Sequence, residues 1–389
     1  MAKKLPPTAW TKRDDLAQLM RALGPEHMRW VGGAVRDTLL GVEVHDVDCA
    51  TTHLPDAVID LCAKAGIRTV PTGIDHGTVT AVLKGGSVEI TTLRRDVSTD
   101  GRRATVAFAR EWREDAARRD FTINALFAHP ETLAIDDYFG GIEDLDARRV
   151  RFIGDARERI REDHLRILRY YRFQARFGSD LDAEAEIACA ELAETLKGLS
   201  RERIADELLR LLALPTPHET VARMHKNGVL GVILPEASKV QISKLAQMIA
   251  AEDTQGFVPN AIRRLAALLP HSTDVAEDVS ARLRLSRAQR ARLVCSADRR
   301  AEDRDAPLAL AYHHTSEFAI DRLLLQGVDA QDLRDWEPPI LPLKGGAIVA
   351  RGVAAGPEVA RILQTVERRW VSEGFPDAAR VEELLNEEL

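Results

Sequence analysis

Two aspartates separated by one residue stand early in the chain, within RWVGGAVRDTLLGVEVHDVDCATT. In a strand, alternate side chains share a face, so Asp46 and Asp48 would project from the same side. Two carboxylates held close together repel each other unless a cation lies between them, and hard oxygen ligands suit Mg²⁺. The pair therefore predicts a magnesium site, although an Asp-x-Asp motif alone is weak evidence because many are surface acids.

A glycine turn and an arginine precede these carboxylates in the same segment. Gly32 and Gly33 lack side chains, so their backbone N–H groups can approach a phosphate closely. AVRDTLLG then predicts a short helix whose N-terminus favours an anion, with Arg36 in its first turn, where the guanidinium could grip a triphosphate. The alternative is an ordinary strand-turn-helix in which Arg36 pairs with Asp37.

A third carboxylate, Glu89, lies in the β-rich segment SVEITTL, on the face opposite Val88 and Ile90. An acid inside a strand is disfavoured unless its face is wet or functional. Glu89 is therefore either a third carboxylate beside the metals or a residue on a solvated face.

A further group of polar residues lies downstream, in REDHLRILRYYRFQARFG, which predicts an amphipathic helix. The residues predicted on its apolar face are Leu165, Leu168, Tyr171 and Ala175. The residues predicted on the opposite stripe are Asp163, Arg166, Tyr170 and Phe173, with Arg169 at its edge. A solvated face, in which Glu162 pairs with Arg166, is the simpler interpretation.

Asp163 and Arg166 also have a specific chemical interpretation. Asp163 accepts hydrogen bonds and Arg166 donates them, so the pair matches a base edge that carries an exocyclic amine beside a ring acceptor. Cytosine and adenine have that edge, whereas uracil and guanine present a keto oxygen beside a ring N–H. Such a pair would reject uracil and guanine by leaving buried polar groups unpaired.

The elements that must position these residues indicate an α+β fold. A helix is predicted over residues 12–23, ended by Gly24. The segments VTAVLK and SVEITTL predict a hairpin with Gly85-Gly86 as its turn, and RVRFIG predicts another short strand. From about Ile160 onward the periodicity is helical. We therefore expect a small mixed β-sheet flanked by helices, followed by an all-α remainder.

Composition and charge narrow the class of protein. Hydrophobic residues make up 45% of the 389 residues and charged residues 30%, with a net charge of -7. The segment from Arg148 to Arg176 holds ten arginines against four acids, a local excess of +6, and one such patch can hold a polyanion.

Four separated cysteines suggest neither a zinc site nor disulfides, and we expect them reduced and buried. Without a long apolar run or a secretion signal, we expect a cytoplasmic protein with no membrane partner.

Six motifs in a fixed order carry a family resemblance: VGGAVRD, HDVD, TTLRRDVSTDGRR, RRDFTINAL, IGDARERIREDHLRILRYYRFQARF and LSRERIADEL. Together they resemble the bacterial class II tRNA nucleotidyltransferases, which are the CCA-adding enzymes and their poly(A) polymerase relatives in the DNA polymerase beta superfamily. The match runs from about Arg29 to Leu212. It implies a nucleotidyltransferase head (1–147), a nucleotide-selecting helical neck (148–215) and a tRNA-binding helical body and tail (216–389).

The resemblance also implies a reaction and its residues. The reaction is template-independent addition of C, C and A to the 3′ end of tRNA from CTP and ATP, by two-metal transfer that releases pyrophosphate. Asp46 and Asp48 would bind Mg²⁺, while Asp120 and Asn124 would brace the fold. The residues implied to contact the nucleotide are Gly33, Arg36, Arg119, Asp163, Arg166, Arg169 and Arg172. Among these, Asp163 and Arg166 resemble the family's amino-acid template for base selection.

Two departures and two alternatives accompany the resemblance. RRDVSTDGRRATVAF resembles the flexible loop that the family uses to switch from C to A addition; Asp100, Gly101 and Arg102 match, and Arg103 replaces the usual histidine. His164 replaces the proline that usually follows the Glu-Asp pair. The alternatives are a poly(A) polymerase, which shares the head motifs, and a non-catalytic RNA-binding paralogue, which the complete Asp-x-Asp motif disfavours.

Overall fold

The computed structural model of the protein describes residues 3–100, 103–178 and 180–389, without the side chains of 96–100 and 103–106. The chain folds as two units. Unit 1 holds the residues up to Glu207 together with Arg223–Ile233, and unit 2 holds Leu208–Ala222 and Leu234–Leu389. The expected α+β class is confirmed, whereas the three-part division into head, neck and body stays a prediction.

The β-structure lies in the N-terminal part of unit 1. Its strands are β1 (Met28–Val31), β2 (Val47–Thr51), β3 (Arg68–Gly73), β4 (Thr78–Leu83), β5 (Gly86–Thr92), β6 (Arg94–Asp100), β7 (Arg103–Phe108), β8 (Leu126–Ala128) and β9 (Ile135–Asp137). Among the described residues, seven strands form one mixed sheet in the order β3-β4-β5-β2-β1-β8-β9. Within that sheet β2 and β5 run parallel and the other neighbours antiparallel. The strands β6 and β7 form a separate antiparallel ribbon.

The hairpin of β4 and β5 confirms the predicted pairing of VTAVLK with SVEITTL. Leu83 pairs with Gly86, so the turn residues are Lys84 and Gly85, one position earlier than predicted. The turn is fixed there because the Gly85 N–H donates to Asp15 Oδ2 at 2.7 Å. Gly86 begins the strand with a φ of 120°, a conformation that side chains disfavour.

The strand predicted for RVRFIG is wrong. In that segment Arg149 bridges only to Asp180 and Phe152 bridges only to Phe121. These two partners belong to different parts of unit 1, so no continuous ladder forms and the segment connects elements instead.

Helices account for most of the remaining chain. The helices up to residue 233 are α1 (Asp14–Leu23), α2 (Gly33–Leu39), α3 (Pro55–Lys64), α4 (Trp112–Ala117), α5 (Gly141–Asp146), α6 (Ala156–Glu162), α7 (Arg166–Phe177), α8 (Ala183–Glu191), α9 (Arg201–Leu212), α10 (His218–Lys226) and α11 (Val229–Ile233). The predicted first helix is confirmed over Asp14–Leu23, and it ends at Gly24, whose φ is 83°. A residue with a Cβ is unfavourable at that φ, so glycine ends the helix there.

An aromatic cluster packs α7 against Phe121 and Phe152, which lie outside the strands of the sheet. The ring of Phe121 lies 4.9 Å from that of Phe152 and 5.3 Å from that of Phe173, and Phe152 stacks on Tyr170 at 5.9 Å. Tyr170 and Phe173 are therefore buried, although the helical wheel predicted them on the exposed stripe. The wheel was wrong because α7 is covered on more than one side.

Unit 2 is helical throughout its described elements. After residue 233 these are α12 (Lys239–Gln255), α13 (Ala261–Ala267), α14 (Thr273–Arg282), α15 (Arg287–Ala297), α16 (Pro307–His313), α17 (Ser316–Leu325), α18 (Gly345–Val349), α19 (Pro357–Ser372) and α20 (Ala378–Glu388). One apolar cluster surrounds Leu323 of α17, and another surrounds Trp370 of α19. The predicted helical remainder is confirmed.

The composition led to expectations about the cysteines and about membrane-spanning helices. Cys49, Cys62 and Cys189 are free and buried, as predicted, and Cys295 is free and half-buried. Among the described residues, we find no helix with both the length and the apolar character needed to cross a bilayer.

A buried chain of charges ties the helices of unit 2 together. Arg263 donates to Glu252 at 2.8 Å and to Asp321 at 2.7 Å, and Arg292 donates to the same Asp321 at 2.5 Å. Asp321 is completely buried. Each ion has left water, so it is stabilised only while its partners remain in place.

Replacing Asp321 by Ala should destabilise unit 2 by about 3–5 kcal/mol, because two buried guanidinium groups would lose their shared carboxylate. Thermal and urea unfolding followed by circular dichroism measure the change. Glu358→Ala is the control, since Glu358 pairs with Arg361 at the exposed surface and its loss should leave the midpoint unchanged. Equal midpoints for the two variants would contradict this role for the buried chain.

Candidate active site

A cavity of about 460 Å³ lies in unit 1 beside the central strands of the sheet. It is lined from β1, β2 and β5, from the turn before α2, and from α7. The predicted site residues that line it are Gly33, Arg36, Asp48, Glu89, Arg119, Asp163, Arg166 and Arg169. Residues from four separated sequence segments therefore meet at one place.

The glycine turn forms one wall of the cavity. Gly32 has a φ of 63°, and a Cβ built there would lie 3.4 Å from Arg119 Nη1, so a larger residue would be strained. Arg36 is nearly buried; its Nε donates to Asp37 Oδ1 at 2.8 Å and its Nη1 to Asn124 Oδ1 at 2.6 Å. The alternative pairing with Asp37 thus forms, and Arg36 still faces the cavity.

The carboxylates lie on neighbouring parallel strands. Asp48 of β2 is directly opposite Glu89 of β5, while Val47 and Cys49 are buried as predicted. Asp46 is exposed and lies one residue before β2, so only Asp48 of the pair is within the strand, and the shared face stays a prediction. In the residues that the structure describes, no group of three or more His, Cys, Asp or Glu side chains is arranged to hold a metal ion.

The Asp48 carboxyl is electrostatically strained. Burial, and secondly the nearby charge of Glu89, raise its pKa to about 6. Arg119 opposes the shift, and Asp46 adds to it. Within the described part of the chain, no hydrogen bond or ion pair to the Asp48 carboxylate is found. The wall thus presents a half-buried acid whose charge Arg119 offsets only in part, which is the environment that a bound cation would relieve.

The base-selecting candidates lie at the start of α7. The helix begins at Arg166, and Asp163 has an extended conformation at the end of α6, so the single predicted helix is interrupted between them. Asp163 Oδ2 accepts from Arg203 at 2.9 Å, and Arg166 Nη1 donates to Glu162 at 2.5 Å. The simpler predicted pair of Glu162 with Arg166 therefore forms, and both candidates line the same cavity.

Two further arginines of α7 are held by carboxylates. Arg169 donates to Asp120 at 2.8 Å, and Asp120 also accepts from Asn124 at 3.0 Å. Burial opposes ionisation of Asp120, but Arg169 and Asn124 outweigh it and lower its pKa. Asp120 and Asn124 thus brace the site and line the cavity as well. Arg172 lies outside the cavity lining, where it donates to Glu207 at 2.6 Å.

The sequence did not single out several residues that line the cavity. These are Thr91, Arg94, Arg118 and Phe173. Arg118 adjoins Arg119 in RRDFTINAL, so counting both cations of that motif would have found it. Phe173 was assigned to a solvated stripe, but its ring lies 5.2 Å from the Arg36 guanidinium and 5.6 Å from that of Arg169.

The charge of the cavity favours an anion. Six arginines and four carboxylates are found in its described lining, an excess of two positive charges. Guanidinium groups bind phosphate through paired N–H donors. The arginines also pack on aromatic rings, with Arg119 lying 5.0 Å from the centre of the buried Phe127 ring. The arrangement can hold a phosphorylated ligand beside a pair of carboxylates.

The segment from Arg94 to Phe108, predicted as a flexible loop, is the β6–β7 ribbon in its described parts. Gly101 and Arg102 lie outside the described residues, as do the side chains of Asp100 and Arg103. The part of the prediction that concerns these four residues therefore stays a prediction.

Comparison with known proteins identifies the family. A model described as "Poly A polymerase head domain" matches residues 28–151, and one described as "Probable RNA and SrmB- binding site of polymerase A" matches residues 179–240. The protein named "CCA tRNA nucleotidyltransferase 1, mitochondrial" of Mus musculus is 36% identical over 373 residues, covering 90% of this chain and 83% of the relative. This chain belongs to the family of CCA-adding tRNA nucleotidyltransferases and poly(A) polymerases.

Two further members of this family agree in sequence and fold. The CCA-adding enzyme of Levilactobacillus brevis is 43% identical over 202 residues, covering 51% of this chain and 50% of the relative. The Bacillus stearothermophilus CCA-adding enzyme, solved in complex with CTP, superposes with a TM-score of 0.76 at 26% identity and covers 92% of this chain and 93% of its own. The family expectation drawn from the motifs is confirmed.

Replacing Asp48 by Asn should stabilise this nucleotidyltransferase-family protein at neutral pH. In the folded chain Asp48 keeps its proton up to about pH 6, whereas an ordinary aspartate has a pKa of 3.8. The stability that protonation of Asp48 contributes is therefore lost as the pH rises to 6. The variant's free energy of unfolding should therefore exceed that of the wild type by an amount that grows between pH 4 and pH 6 and stays constant above pH 6, at roughly 3 kcal/mol or less.

Unfolding midpoints measured across this pH range test the Asp48 prediction. Asp46→Asn is the matched control, because Asp46 is exposed and its removal should change the midpoint little. A destabilised Asp48→Asn variant at pH 7.5 would contradict the strained state of this carboxyl.

Proposed function

We propose that the protein adds C, C and A to the 3′ end of tRNA, using CTP and ATP and releasing pyrophosphate. The observation that carries the proposal is the single cavity, where Asp48 and Glu89 meet the arginines and the Asp163–Arg166 pair. Relatives named as CCA-adding enzymes, including one solved with CTP and one complexed with tRNA, support the same function.

The nucleotide is held by the cationic side of the cavity. Arg36 and Arg119 bind the triphosphate, with the backbone of Gly33 beside them, because guanidinium groups and N–H donors match phosphate oxygens. Arg169 completes the nucleotide site from α7, and its pairing with Asp120 keeps it extended toward the cavity. Arg172 acts from outside the lining, where its guanidinium lies 4.5 Å from the Phe173 ring.

The carboxylate side of the cavity fits Mg²⁺. Asp48 is a hard oxygen donor in a half-buried position, and the raised pKa of its carboxyl is consistent with a charge that is only partly compensated there. Asp46 and Asp48 would hold the metal, and Glu89 stands beside Asp48 as the possible third carboxylate. When bound, Mg²⁺ lowers the pKa of the tRNA 3′-hydroxyl and neutralises the triphosphate.

The protein's own groups align the reaction. Arg36 and Arg119 orient the α-phosphorus toward the 3′-hydroxyl, which attacks in line, so that the pyrophosphate leaves on the opposite side. Positive charge from Arg36 and Arg169 stabilises the charge that develops on the leaving pyrophosphate. The 3′-hydroxyl gives up its proton to water as its oxygen bonds to the α-phosphorus.

Asp163 and Arg166 select the base. The carboxylate accepts from the exocyclic amine of cytosine or adenine, and the guanidinium donates to the ring acceptor. Asp163 is paired with Arg203 and Arg166 with Glu162, so a base bound by the two groups would share or replace these partners. Selection of both C and A by one pair favours CCA addition over the poly(A) polymerase alternative.

The remaining parts of the chain complete the proposal. Residues 1–147 act as the catalytic head, 148–215 as the nucleotide-selecting neck, and 216–389 as the tRNA-binding body and tail. The cytoplasm is proposed as the location, where tRNA, CTP and ATP are all available.

The function is tested by giving purified protein a tRNA that ends at the discriminator base. With CTP alone the product should stop after two C residues, and with CTP and ATP together it should stop after one terminal A. Sequencing of the product 3′ ends measures both. A long A tail would point to a poly(A) polymerase, and unextended tRNA would contradict catalysis.

Replacing Arg166 or Asp163 by Ala should relax nucleotide choice, because the base edge would lose one of its two partners. Incorporation of U and G by each variant, relative to C and A, is measured with all four nucleotides present at equal concentration. Arg161→Ala is the control, since Arg161 is exposed and pairs with Glu158. Unchanged selectivity in the Arg166 and Asp163 variants would remove the pair as the template.

A further inference from the structure

One buried carboxylate holds two of the cavity's arginines at once. Asp115, in the first turn of the short helix α4, is 1% exposed. Its Oδ1 accepts from Arg118 Nε at 2.8 Å, and its Oδ2 accepts from Arg119 Nη2 at 3.1 Å. Both arginines line the cavity, whereas Asp115 does not. The carboxylate therefore acts on the cavity only through the groups that it holds.

The same carboxylate also contacts the β6–β7 ribbon. The backbone N–H of Arg94, the first residue of β6, donates to Asp115 Oδ1 at 3.1 Å. Arg94 itself lines the cavity. A movement of the ribbon at Arg94 would therefore displace the Asp115 carboxylate, to which Arg118 and Arg119 are hydrogen-bonded.

The geometry leaves Arg119 little freedom. Its Nη1 donates to the Asn124 backbone oxygen at 3.3 Å, and its guanidinium lies 5.0 Å from the Phe127 ring centre. With Asp115 bound on the other edge, the guanidinium plane is fixed before any ligand arrives. Burial opposes ionisation of Asp115, but the two arginines outweigh it and lower its pKa, so the carboxylate keeps its charge at neutral pH.

We propose that Asp115 is a positioning residue for nucleotide binding, which sets Arg118 and Arg119 as a pair and ties both to the start of the β6–β7 ribbon. The proposal rests on the nucleotidyltransferase function given above. It adds Arg118 to the cations that meet the incoming triphosphate, and it assigns the orientation of that pair to one side chain that never touches the nucleotide.

Asp115→Asn is the variant that tests the proposal, with Asp144→Asn as its matched control. Asp144 is equally buried, accepts from Arg151 at 2.8 Å and from Thr122 at 2.6 Å, and lies outside the cavity lining. Both variants lose one buried charge, so both should lower the unfolding midpoint to a similar extent. Only Asp115→Asn should raise the KM for CTP and ATP, by about tenfold or more, as expected when charge-assisted hydrogen bonds are lost.

Two additional variants keep the test decisive if Asp115→Asn folds poorly. Asp115→Glu retains the charge and should restore most of the nucleotide affinity, while Arg118→Gln removes one arm of the pair and should raise the KM alone. Equal KM values for Asp115→Asn and Asp144→Asn, or an unchanged KM in Arg118→Gln, would overturn the proposal. Wild-type addition of C, C and A is measured in the same assay, so failure of the proposed function would show separately.

Discussion

The cavity depends on ion pairs that fix its arginines before a ligand binds. Five of the six arginines found in the described lining are each held by a carboxylate or amide side chain of unit 1: Arg36 by Asn124 and Asp37, Arg118 and Arg119 by Asp115, Arg166 by Glu162 and Arg169 by Asp120. Buried pairs of this kind add little net stability, because desolvation offsets their attraction. Their value here is orientation, since a guanidinium held in place loses less freedom on binding phosphate.

The carboxylate side of the cavity differs, because no hydrogen bond or ion pair to Asp48 is found in the described residues. Asp48 is half-buried beside Glu89, and burial together with that neighbouring charge raises its pKa to about 6. The fold therefore keeps a partly uncompensated charge at the position that the proposed function assigns to a metal ligand. Stability is given up there, and a cation bound to Asp48 would recover it. The site thus combines arginines that have hydrogen-bonding partners with an aspartate for which none is found in the described residues.

Local motifs of the sequence predicted much of this site. The turn at Gly32, the helix after it and the acid at Asp48 lie within one contiguous segment, where spacing alone indicates structure. Asp163 and Arg166 were found from their chemistry, although the break between α6 and α7 was not. An unbroken helix was expected because the periodicity of the apolar residues continues through the break.

The pairs between near neighbours, Arg36 with Asp37 and Glu162 with Arg166, were predicted, but partners from distant segments could not be. Arg203, which pairs with Asp163, and Asp115, which holds Arg118 and Arg119, come from segments whose local pattern shows only a charged helix. No spacing rule brings them to the cavity, because their positions follow from how the helices pack on the sheet. The burial of Phe173 was missed for the same reason.

The central claim is that one cavity joins phosphate chemistry to base selection. A crystal structure of the protein with CTP and a tRNA that ends at the discriminator base tests it most directly. The triphosphate should lie against Arg36 and Arg119, with the amine edge of cytosine against Asp163 and Arg166. A cytosine ring bound away from the start of α7, with Asp163 and Arg166 still paired to protein partners, would contradict the account.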